Sequence, residues 1–120
     1  MAKKILIIDD AGYMRGLIKD VLLKNGFEVV GEADDGADAL KRYNELKPDL
    51  VTMDMVMGSK SGIDAVKEIM LADPQAKVLM ISAMGQQAMI VDAIRAGAKG
   101  FVMKPFKAEV LVEEVRRILG

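Results

Sequence analysis

KILIIDD, Lys4–Asp10, sets a solid apolar run of one leucine and three isoleucines directly against two acids. With no polar residue alternating through it, Lys4–Ile8 reads as a strand buried on both faces, as a parallel sheet requires. Working outward, Phe27–Gly31, Leu50–Met53, Val78–Ile81 and Phe101–Met103 are further short apolar runs at regular spacing. Between them the period changes to that of a helix. Met14, Leu17, Ile18, Val21 and Leu22 fall on one helical face, as do Ile63, Val66, Ile69 and Met70, and again Leu111, Val115, Ile118 and Leu119. Weaker versions occupy Ala37–Leu46 and Met89–Ile94. Gly26 and Gly97 stand where left-handed helix caps are expected, and Pro48 and Pro74 lie in connections that lead into strands. Strand and helix thus alternate five times, which predicts an α/β fold: a doubly wound five-stranded parallel sheet with five helices on its two faces.

At 120 residues the chain has room for one domain, and no linker or low-complexity tract divides residues 1–120. Lys and Arg total 17 against 18 Asp and Glu, a balance unlike the basic excess of nucleic-acid binders. Cysteine and histidine are both absent, which removes thiolate chemistry, imidazole acid–base catalysis and His- or Cys-ligated metals. Any chemistry must come from Asp, Glu, Lys, Tyr or the hydroxyls of Thr52, Ser59, Ser61 and Ser82. No apolar run approaches the roughly 18 residues of a membrane span, and Asp9 and Asp10 interrupt the opening too early for a signal peptide. The expectation is a cytoplasmic domain with no membrane insertion.

In open parallel sheets, ligands bind beyond the carboxyl ends of the strands. Those ends carry Asp9 and Asp10 on the first strand, Asp54 on the third, Ser82 on the fourth and Lys104–Pro105 on the fifth. Three converging carboxylates repel one another unless a cation joins them. Three acids, one ammonium and one divalent ion sum to zero charge, and all-oxygen ligation favours a hard ion such as Mg²⁺. A carboxylate beside Mg²⁺ and an ammonium is placed to attack phosphorus, with the cations neutralising the phosphoryl oxygens. Each residue also has a plain structural alternative: Asp10 or Ser82 as a helix cap, Asp54 as a turn residue, Lys104 as solvated surface. The joint pattern at successive strand ends favours a site.

These features resemble response-regulator receiver domains, and the likeness extends over the entire chain. It rests on IIDD (Ile7–Asp10), VTMDMVM (Val51–Met57), ISAM (Ile81–Met84), GQQAM (Gly85–Met89), IRAGAKGF (Ile94–Phe101) and KPF (Lys104–Phe106). Within the family the chain is most similar to single-domain chemotaxis regulators. The resemblance implies the strand order 2-1-3-4-5 and a cis Lys104–Pro105 bond. It makes Asp54 the phosphoacceptor, with Asp9 and Asp10 holding Mg²⁺ beside Asp54 and the backbone carbonyl of Val56. Lys104 would pair with the acceptor and then with the phosphoryl group. Ser82 would move to bond a phosphoryl oxygen, Phe101 would swing in behind it, and the small Ala83 would leave the site accessible. The protein would be no conventional enzyme, only a phosphoacceptor catalysing its own phosphoryl transfer.

Three departures from the family pattern carry expectations. Gly58 stands where the family usually has Pro, followed by Ser59-Lys60-Ser61 and Gly62, so the loop beside the acceptor should be looser. Phe101 lacks the hydroxyl of the commoner Tyr. Val56 and Met84 flank the site with apolar side chains that cannot orient water, which implies slow self-dephosphorylation. The implied partners are a sensor histidine kinase of the chemotaxis type, docking near Gly12, Tyr13 and Met14, and a flagellar motor switch component. The target would meet the surface of the fourth helix, fifth strand and fifth helix, with Gln86, Gln87, Ile90, Arg95 and Lys99 as candidates. Nothing in the sequence forces a dimer, so a monomer is expected. Competing readings are a phosphorelay intermediate, a receiver cut from a transcription factor, and a Mg²⁺-dependent phosphohydrolase. A nucleotide or flavin binder is disfavoured by acid in place of a glycine motif after the first strand.

Overall fold

A computed structural model describes residues 2–83 and 87–120. The elements follow in the order β1 (Lys4–Ile8), α1 (Gly12–Lys24), β2 (Glu28–Ala33), α2 (Ala39–Leu46), β3 (Leu50–Met53), α3 (Gly62–Ala72), β4 (Val78–Ser82), α4 (Gln87–Ala96), β5 (Gly100–Met103) and α5 (Ala108–Leu119). A 3-10 turn at Gly36–Asp38 leads into α2. The five strands form one sheet in the order β2-β1-β3-β4-β5, every pairing parallel, as the resemblance implied.

Alternate residues of each strand supply two separate cores. Leu6, Ile8, Val51, Met53, Val78 and Met80 pack with Tyr43 of α2, Val66 and Ile69 of α3 and Ala93 of α4. Ile5, Ile7, Leu50, Leu79, Ile81 and Val102 pack on the opposite face with Met14, Ile18 and Leu22 of α1 and Leu111, Val115 and Ile118 of α5. Burial on both faces explains why β1 reads as an unbroken apolar run, each such side chain contributing roughly 1.5–3 kcal/mol.

The strands β1 and β3 stand where the sequence places them. β2 begins one residue later than predicted and continues to Ala33, with a register shift against β1 between Ile5 and Leu6. As an edge strand it is only half-buried along most of its length, so its apolar pattern is weak. On α1 the buried stripe is narrower than the periodicity suggests: Met14, Ile18 and Leu22 are buried, whereas Leu17 is 47% exposed. Gly26 (φ 85°) and Gly97 (φ 121°) do take the left-handed conformation predicted for helix caps. The Lys104–Pro105 bond is cis.

Candidate functional site: an acidic rim with one ammonium

Parallel pairing of β1 with β3 sets Ile8 opposite Met53, so the residues that follow, Asp9 and Asp54, leave the sheet side by side. The backbone secures both: Asp54 N donates to Ile8 O at 2.9 Å, and Asp9 N donates to Ala33 O at 3.0 Å. Asp10 joins them at the surface. Each of the three offers a carboxylate oxygen within 4.8 Å of the other two, with Asp9 and Asp54 buried and Asp10 exposed. Across the rim, Lys104 N donates to Ser82 O at 3.0 Å, which ties the end of β5 to that of β4. The Lys104 ammonium reaches back over the acids. It hydrogen-bonds Asp9 Oδ2 at 2.7 Å and stands 3.6 Å from Asp54 Oδ2. Ser82 is buried at the end of β4.

Burial is the main cause that raises the Asp54 pKa above the ordinary carboxylate range, and the negative charge of Asp9 adds to it. Lys104 and the backbone N–H of Val56 oppose the shift, while Asp10 reinforces it. An ionised Asp54 is therefore held at a cost that added positive charge would relieve. The all-oxygen cluster can accommodate a metal ion, and a small hard cation suits its donor set and spacing.

The structural alternatives resolve residue by residue. Ala11, not Asp10, occupies the N-cap of α1, and it is Asp9 Oδ1 that accepts from Ala11 N at 2.9 Å. Ser82 is the last residue of β4, well before Gln87, the first residue of α4. The Val56 backbone N–H stands near enough to the Asp54 carboxylate to favour its charged form. Val56 is 55% exposed beside the acids, and Ala83 is exposed as well. Phe101 is half-buried against the core of α2, α3 and α4. Gln87, Arg95 and Lys99 are exposed and Ile90 is half-buried, whereas Gln86 and Met84 lie outside the described residues. Of the three residues expected to face a donor, Gly12 and Tyr13 are exposed, but Met14 is buried in the α1–α5 core and is unavailable.

Two supporting residues escape a reading of the sequence. Arg15 donates from Nη1 to the Asp9 carbonyl at 2.6 Å and from Nε to Glu32 Oε1 at 3.1 Å, bracing the acid pair from behind. Asp35, ahead of the 3-10 turn, accepts hydrogen bonds from Ala37 and, across the fold, from Ser59 and Lys60. These bonds hold its carboxyl down to about 2. The loop after Asp54 is thus tied at Ser59 and Lys60 to the turn that follows β2. Neither contact has a local sequence signal, since both join residues of different elements.

The profile of the response regulator receiver domain matches residues 5–116. The chain belongs to this family. Among curated relatives, the chemotaxis protein CheY of Bacillus subtilis is 56% identical over 120 residues, spanning 100% of both chains. The CheY of Thermotoga maritima is 53% identical over 118 residues, covering 98% of each. A chain in the crystal structure of the CheX-CheY-BeF3-Mg+2 complex from Borrelia burgdorferi superposes with a TM-score of 0.95 at 30% identity, covering 98% of this chain and 90% of its own. The response regulator domain of Thermotoga maritima CheB gives 0.91 at 32% identity, with coverages of 99% and 97%. Family and relatives together make this receiver domain a chemotaxis response regulator of a two-component system. It is not a conventional enzyme.

Proposed function

We propose that Asp54 is the phosphoacceptor of this receiver and takes its phosphoryl group from the phosphohistidine of a chemotaxis histidine kinase. The carrying observation is the meeting of Asp9, Asp10 and Asp54 within 4.8 Å under the Lys104 ammonium. Asp9 and Asp10, directly or through water, would hold Mg²⁺ together with Asp54 and the Val56 carbonyl. When bound, that ion supplies positive charge to the carboxylates and to the phosphoryl oxygens. Asp54 contributes the attacking oxygen. A bond forms from it to phosphorus as the bond to the donor imidazole nitrogen breaks, and the electron pair leaves with that nitrogen. Lys104, 3.6 Å from Asp54, then turns from Asp9 to the phosphoryl group.

Phosphorylation gives the side chain of Asp54 about two negative charges and three acceptor oxygens. Ser82 is drawn to one of them and Phe101 moves in behind it, a coupled change that biases the surface of α4, β5 and α5. A flagellar motor switch component is the target this reading favours. The protein works as a cytoplasmic monomer whose 120 residues form a single receiver domain. Treatment with acetyl phosphate and Mg²⁺ should add one phosphoryl mass to the wild type and none to Asp54→Ala; a gain in both overturns the assignment. Val56, apolar and exposed beside the acceptor, offers nothing to orient a hydrolytic water, so the acyl phosphate should decay slowly. Val56→Asn should shorten its half-life, and an unchanged or longer one counts against this account.

A further inference from the structure

Asp35 makes more hydrogen bonds than a turn cap needs. Its Oδ1 accepts from Ala37 N at 3.0 Å and from Lys60 N at 3.2 Å. Its Oδ2 accepts from both Ser59 N and Ser59 Oγ at 2.9 Å. Only the Ala37 bond is local; the other three cross to the loop between β3 and α3. The two loops also touch through their backbones, because a Cβ on Gly36 would stand 2.6 Å from Lys60 O. A Cβ on Gly58 would come within 3.2 Å of Asp35 Oδ2, so the carboxylate also packs closely against the Gly58 backbone. The far end of the same loop is fixed separately, by Gly62 N donating to Met55 O at 2.9 Å and by Ser61 capping α3. Between those anchors stand Val56, Met57 and Gly58, and glycine gives such a stretch its greatest freedom.

We infer that Asp35 is a positioning residue: it clamps Ser59 and Lys60 and thereby orders the Val56–Gly58 backbone that follows the phosphoacceptor. The inference rests on the phosphoacceptor reading insofar as that backbone carries a Mg²⁺ ligand, the Val56 carbonyl. Asp35→Ser keeps a hydroxyl able to cap the turn but is too short to reach the loop. Asp35→Asn keeps the shape while placing an amide against the Ser59 N–H.

In the full chain, calorimetric titration with Mg²⁺ should show both variants binding more weakly, by about tenfold or somewhat less, since Asp35 acts one step beyond a group bonded directly to a metal ligand. Without Mg²⁺, amide exchange should quicken from Val56 to Lys60 while thermal melting shows a folded protein. Adding Gly58→Pro to Asp35→Ser should recover much of the affinity, since a fixed φ replaces the stiffness of the clamp. Unchanged affinity overturns the inference. So does weaker binding with unchanged exchange, which would mean that Asp35 acts through its charge alone. If the wild type itself takes up no Mg²⁺, the phosphoacceptor reading fails, and the exchange data judge the clamp by themselves.

Discussion

Thr52 sits on β3 between Ile7 and Leu79 of the neighbouring strands, and its hydroxyl is buried without a hydrogen-bond partner among the described residues. An orphaned buried hydroxyl is a net cost, and valine has the same shape without it. Thr52→Val should therefore stabilise the fold by about 1 kcal/mol, read as a higher urea midpoint at unchanged slope. A lower midpoint would mean that the hydroxyl is bonded after all. Other single residues show how far a local reading reaches. Asp9, Asp10, Asp54 and Lys104 are legible because each ends an apolar run. That Lys104 hydrogen-bonds Asp9, with Asp54 further off at 3.6 Å, is not legible, because sub-ångström differences between strand ends depend on packing.

Among the elements, α3 begins almost in contact with the acceptor. A Cβ at Gly62 would lie 2.0 Å from the backbone oxygen of Asp54, and no flexible side chain is there to give way. Gly62→Ala must push α3 off the end of β3, at a cost of about 2–3 kcal/mol or more, which a denaturant melt would measure. A wild-type midpoint would show that the approach is looser. Helix patterns were the more readable class: α5 carries its buried Leu111, Val115 and Ile118 as spaced in the sequence. β2 was the less readable, because Gly31 and Glu32 interrupt its apolar residues and its pairing with β1 shifts register. A half-buried edge does not impose the continuous hydrophobicity that marks β1.

For the whole molecule, the proposed cation couples the site to global stability. Anything bound by the folded state alone adds RT ln(1 + [L]/Kd), so Mg²⁺ at about a hundredfold over its Kd should add about 2.7 kcal/mol. Chelation should remove that increment. The paired variant Asp9→Asn, Asp10→Asn should melt alike with and without the ion; an equal gain in that variant would place the binding elsewhere. Sequence by itself determined the alternation of strands and helices, the two-sided burial of the sheet and the acids at its carboxyl edge. Each follows from spacing along the chain, where side-chain period reports the environment directly. Tertiary structure alone decided which acid takes the lysine, that Arg15 hydrogen-bonds the Asp9 carbonyl, and that Asp35 bonds across to Ser59. Those outcomes join residues from different elements, and only the assembled sheet brings them within hydrogen-bonding distance.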